Sequence, residues 1–194
     1  MTSHLDEGDP VKRHLLRNSA AQVVHGMFGQ TGFRLVEAPT FLPAFLFGLS
    51  GSDLVVGVAR SLQGLGTVIS PVIGASLIGH RPRILSIALG THALMRLQIL
   101  GMALAGFFLG TEATVMAFIT LMALMGFFQG MSQVTVHSLR AKVIPVNRRG
   151  IVSGVRNFFA GIASASVAYA AGAYFIDNNV LGNGYASIFL LAFV

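Results

Sequence analysis

Apolar residues along the chain gather into five long runs, residues 23–49, 54–78, 84–109, 113–139 and 151–176, separated by short polar connectors. Each run exceeds the roughly 20 helical residues that carry a chain across about 30 Å of hydrocarbon, so the pattern predicts five membrane-spanning helices. A sixth run, residues 185–194, begins in the same way. At about 1.5 Å per residue it crosses only about half of the hydrocarbon, which predicts a chain cut inside its sixth span. The connectors carry matching punctuation: "LSGSD", "GTE" and "DNNVLGNG" supply Gly, Asn and helix-starting Ser, Thr or Asp, and "IPVNRRG" puts a proline ahead of the fifth run. Residues 1–22 are polar and mixed in charge, without the apolar core and small-residue cleavage site of a secretion signal, and read as a retained tail. The expected fold class is an all-α membrane protein, a multi-spanning helical bundle over residues 23–194 behind that tail.

Composition agrees: 54% of residues are hydrophobic, 10% are charged and the mean hydropathy is +0.72, too oily for a water-soluble domain of this length. A formal charge of +6 and a pI near 10.8 raise the question of nucleic acid. That reading needs a basic patch on a soluble surface, whereas Lys and Arg here lie mostly between apolar runs. The tail holds Lys12, Arg13 and Arg17, the second connector Arg81 and Arg83, and the fourth Arg140, Lys142, Arg148 and Arg149; the other connectors hold only Asp53, Glu112 and Asp177. Basic residues on one side alone predict a cytoplasmic N-terminus in a cell (inner) membrane, with lipid rather than nucleic acid as the surrounding partner. The absence of cysteine excludes disulfides, thiolate metal sites and thiol nucleophiles. His25, His80, His92 and His137 show no HExxH or paired spacing, so no metal and no cofactor is expected.

The candidate chemistry lies inside the runs. In "FRLVEAPTFLPAFLF", Arg34 and Glu37 are three residues apart near the expected bilayer midplane, hence on one helical face. A charge at that depth is costly, and such residues pair or face protein or water. Pro39 and Pro43 remove backbone donors and predict a bent helix lining a polar site, with Arg34 and Glu37 in a substrate or ion pathway or else neutralising one another. Gln129 and Gln133 share a face of the fourth span, as pathway donors and acceptors or as interhelical hydrogen bonds. Arg60 is near enough to the outer face to snorkel; Arg96, at mid-span, needs a partner; Arg156 is more peripheral. Glu37 is the only acidic residue within the spans. The cationic surplus suits an anionic substrate, or awaits carboxylates from a further half of the protein. Gly and Ala at helical spacing, among them Gly126 and Gly130, predict close helix packing.

"AKVIPVNRRGIVSGVRNFFAG" (Ala141 to Gly161), "GASLIGHRPRIL" (Gly74 to Leu85) and "GFFQGMSQ" (Gly126 to Gln133) together resemble the N-terminal half of the major facilitator superfamily, at the link between helices four and five, the basic loop between helices two and three, and helix four. The resemblance implies a 3+3 inverted repeat truncated within helix 6, a C-terminal half of six more helices as partner, and cytoplasmic gate loops at Gly74, Arg81, Arg83, Arg148, Arg149 and Gly150. An internal echo points the same way: "GVARSLQG" (Gly57 to Gly64) and "GVRNFFAG" (Gly154 to Gly161) start from opposite sides of the membrane. The chain has Gly126 where many proton-coupled members carry arginine, and no proline after Pro145, so proton–drug exchange is not implied.

The expected function is secondary active transport of a small solute by alternating access, driven by a coupling proton or other ion, and not enzyme catalysis. Two other classes compete. One is a non-transporting membrane scaffold or sensor. The other is an intramembrane serine protease using Ser50 of "GLSG" with His92 or His137 as base, which would require residues from opposite boundaries to meet.

Overall fold

The computed structural model describes residues 15–37, 41–79 and 84–193. Among them seven α-helices run in order: α1 (Leu15–Glu37), α2 (Phe41–Ser50), α3 (Asp53–Gly79), α4 (Ile84–Phe108), α5 (Thr111–Val143), α6 (Val146–Ala171) and α7 (Gly184–Phe193). A π-helical turn over Gly172–Ile176 extends α6, and a short 3₁₀ turn, Val180–Gly182, leads into α7. Among the described residues there is no strand. Four segments of that described chain, Asp53–Gly79, Ile84–Phe108, Thr111–Lys142 and Val146–Ile176, are long and apolar enough to cross a membrane. The protein is a membrane-embedded, multi-pass helical bundle.

The first apolar run is described as two helical stretches, α1 up to Glu37 and α2 from Phe41. The described part of α1 begins at Leu15, ahead of the apolar stretch, since polar residues are compatible with a helix and an apolar run marks only the part fit for lipid. Pro43 lies within the helical stretch Phe41–Ser50. The expected bend at Pro39 falls on residues 38–40, outside the described residues. Pro39, Arg81 and Arg83 lie outside the described residues.

Helices α3 and α5 make the most extensive contact, and glycine sets its closeness. A Cβ on Gly126 would overlap the Gln63 carbonyl, and one on Gly130 would overlap the Ser70 hydroxyl; one on Gly66 would stand 2.7 Å from the Phe127 backbone nitrogen. Gly74 contributes to the same crossing, its Cβ position lying 3.1 Å from the Met131 Cα. Small residues gain van der Waals contact where burial from water does not drive helices together. Helix α5 also packs on α4, α1 on α6 and α7, and α4 on α7.

The buried core lies toward one end. Phe45 of α2, Phe118 of α5 and Phe189 of α7 form a triangle with ring centroids 5.2, 5.4 and 5.9 Å apart, backed by Leu42, Leu46, Met102 and Met122. Edge-on and tilted aromatic contacts of this kind add to plain burial. Helix α7 is held there by Asn183, whose Oδ1 accepts from the Ala186 N–H at 3.1 Å and whose Nδ2 donates to the Gly106 carbonyl at 2.8 Å. Asn183→Ala removes both the helix cap and the tie to α4, and is expected to lower stability by about 2 kcal/mol. Asn183→Asp keeps the cap alone and should lose less, both read from thermal unfolding in detergent.

Candidate functional site

The described part of α1 reaches Glu37 inside the bundle, where polar groups in a low-dielectric interior need partners. Arg60 of α3 supplies one: its Nη2 donates to the Glu37 main-chain oxygen at 3.2 Å. Its Nη1 donates to Gln63 Oε1 at 3.1 Å. The Glu37 carboxylate accepts at Oε1 from Gln129 Nε2 at 2.9 Å and from Gln63 Nε2 at 3.3 Å. Thr67 joins through its hydroxyl, 3.3 Å from the Gly126 carbonyl and 3.5 Å from Gln129 Oε1. One carboxylate, one guanidinium and two amides from three helices thus satisfy one another in an otherwise apolar bundle. Arg60, Gln63 and Thr67 are spaced three and four residues apart and so share a face of α3. Gly126 lets α5 approach the backbone at Gln63, which brings Gln129 within reach.

Beyond this layer, on the side away from the aromatic core, lies a cavity of about 240 Å³. Helix α1 lines it with Gly26, Gly29 and Phe33, α4 with His92 and Met95, and α6 with Arg156. Helix α5 supplies a stripe from Gln129 through Ser132, Gln133 and His137 to Arg140. Along α5 the sequence of environments is therefore aromatic core at Phe118, polar layer at Gln129 and basic mouth at Arg140. The two intervals are 11 residues each, or roughly 16 Å. Along α5 the cavity therefore spans from the Gln129 layer to Arg140, near the basic connector.

The residues singled out in the sequence divide in three ways. Glu37, Gln129 and Arg60 meet in the polar layer, and Arg60 turns inward to Glu37 instead of snorkelling. Gln129, Gln133 and Arg156 line the cavity. Arg34 departs from its neighbour on the helix: its guanidinium reaches toward α6, 3.5 Å from where a Cβ on Gly161 would stand. Arg96 donates to the Phe193 carbonyl of α7 at 3.0 Å, joining two packed helices. Gly74 belongs to the α3–α5 crossing. Arg149 caps α5, donating to the Ile144 and Ala141 carbonyls at 2.9 and 2.7 Å, while Arg148 and Gly150 are exposed beside it. Ser50 donates within α2, to the Leu46 carbonyl at 2.8 Å. Gln63, Thr67, Ser132 and Arg140 were not singled out as site residues by sequence reasoning, and His92 was considered only as a base for Ser50. The i, i+4, i+8 and i+11 spacing of Gln129, Gln133, His137 and Arg140 on one helix face was the signal that could have found the α5 stripe.

Among the described residues, no group of three His, Asp or Glu could hold a metal ion. Compared with known protein families, curated proteins and solved structures, the chain matches none.

Proposed function

We propose that the protein is the N-terminal half of a secondary carrier of the major facilitator type, moving a small solute by alternating access, with its N-terminus on the cytoplasmic side of a cell membrane. The observation that carries this reading is the cavity among α1, α4, α5 and α6: within a largely apolar wall it runs along α5 from Gln129, a partner of Glu37, to Arg140, with the aromatic cluster beyond that polar layer. A carrier accessible from one side needs such an arrangement, and Glu37 is the group suited to a coupling proton or cation.

The helix neighbours add support. If α1 with α2, α3 and α4 correspond to α5, α6 and α7, a two-fold exchange turns the α3–α5 contact into α6–α1 and the α4–α5 contact into α7–α1, and it maps α4–α7 onto itself. Each of these contacts is present, as expected for a 3+3 inverted repeat. The exposed apolar faces of α3 and α6, with Val68, Val72, Phe158 and Ile162, suit lipid and a C-terminal half.

These 194 residues hold no cysteine, so a single cysteine placed here reports from a known position once any in the C-terminal half are replaced. Gln133→Cys, in the cavity, is expected to react with a membrane-impermeant thiol reagent from the basic-connector side, while Phe45→Cys, in the closure, is protected. Imposing a proton, sodium or phosphate gradient on the complete protein in vesicles should raise Phe45→Cys labelling from the opposite side and lower that of Gln133→Cys. Rates that no gradient alters would favour a static scaffold, and labelling of Gln133→Cys from the Asp53 side would overturn the topology.

A further inference from the structure

We infer that the cavity between α1, α4, α5 and α6 binds a compact oxyanion, of phosphate or short carboxylate chemistry, between Arg140 and Arg156. The cavity holds about 240 Å³, ample for such an ion, and among the described residues no acidic one lines it. Arg140, Arg156, His92 and His137 supply cationic or proton-donating groups, and Ser132 and Gln133 add neutral donors. Arg140 of α5 and Arg156 of α6 line the same cavity, and the Arg34 guanidinium of α1 reaches α6 beside Gly161, so arginines from three helices gather in this part of the bundle. Glu37, which meets the cavity-lining Gln129, has its Oε1 already taken by Gln63 and Gln129. Asp53, Glu112 and Asp177 belong to the opposite connectors.

Like charges held together away from bulk water destabilise a bundle unless a counter-charge joins them. Arg156 is also oriented for a ligand. A Cβ on Gly26 would overlap its side chain, so glycine at that point lets the arginine pass α1 and reach the cavity. Its Nε is buried without a hydrogen-bond partner, although Nη2 donates to Asn157 Oδ1 at 3.2 Å. A guanidinium fork with a free donor matches an oxyanion edge better than it matches water.

Such an oxyanion is the substrate class of the proposed carrier, and its binding rests on the carrier reading only for the translocation step. The ligand could be free in the cytoplasm or be a lipid phosphate, and the experiment separates the two. The full chain, in nanodiscs of purely zwitterionic lipid, is titrated with radiolabelled inorganic phosphate and with a short dicarboxylate. Saturable binding of at least one is expected, weakened about tenfold or more by Arg140→Gln and by Arg156→Gln. Gly26→Ala, which keeps every charge but displaces Arg156, should weaken it as well, and Arg148→Gln on the exposed connector should not. Binding that appears only when phosphatidylglycerol is added, with the same variant pattern, assigns the site to a lipid headgroup.

If neither ion nor lipid binds, or if Arg148→Gln weakens binding as much as Arg140→Gln, the inference is overturned. Size-exclusion profiles identify variants that do not fold, and Arg156→Lys, which retains the charge without the fork, stands in for one that fails; its binding should fall as well, and wild-type binding by it would count against the site. Flux is measured separately: binding without flux keeps the site and removes the carrier, whereas flux that ignores both arginines removes the site alone.

Discussion

Glu37→Leu is expected to abolish solute flux and to destabilise the bundle, and Glu37→Gln to abolish flux while leaving the fold in place. The leucine variant strips the acceptor from Gln63 Nε2 and Gln129 Nε2 and leaves the Arg60 cation without its carboxylate neighbour. Each buried donor left unsatisfied costs about 1–3 kcal/mol, and the unpaired charge costs more, so a loss of about 4 kcal/mol is anticipated. Glutamine retains one carbonyl oxygen as acceptor and the main-chain bond to Arg60, which limits the loss to about 1 kcal/mol. What it cannot do is take up and release a proton or hold a cation. Flux into proteoliposomes should therefore fall about 100-fold in both variants, with the detergent melting temperature dropping steeply only for leucine. Wild-type flux by Glu37→Gln would remove Glu37 from the transport step and leave it a structural acceptor.

Gly126→Val has the second largest expected effect, and it acts through packing alone. The added Cβ would overlap the Gln63 carbonyl, a backbone atom in the middle of α3 that no rotamer change can move aside. The α3–α5 crossing has to open, which costs about 3 kcal/mol and draws Gln129 away from Glu37. Unfolding in detergent should shift accordingly, and any flux should vanish with it. Gly154→Val serves as the control: nothing lies within 4 Å of its Cβ position, so no comparable loss is expected. Equal destabilisation by the two substitutions would mean that the close crossing at Gly126 is not what holds α3 to α5.

Much of the membrane architecture is legible in the order of residues. Runs two to five correspond to the four described helices long enough to cross a bilayer, because an apolar stretch with few charges has one low-energy arrangement in lipid, a helix with every backbone bond made internally. The polar centre was legible only in part. Glu37 and Gln129 stood out as polar groups at depth, and both belong to the network. Gln63 and Thr67 did not stand out, since a lone amide or hydroxyl in an apolar run satisfies many environments. In the first run, helix is described on both sides of Pro39, and the expected bend falls on residues 38–40, outside the described residues.

The sequence by itself determined that the chain threads a membrane, where four of its spans run and which residues carry charge within the apolar runs, because those properties follow from length and polarity along one dimension. Only the tertiary structure decided whom each charge meets. Spacing along α1 pairs Arg34 with Glu37, but Glu37 meets Arg60, Gln63 and Gln129 from two other helices while Arg34 turns to α6. Partners across helices depend on how each helix is rotated and how closely it approaches. Here that is set by backbone contact at Gly126 and Gly130, which no periodicity along a single helix encodes.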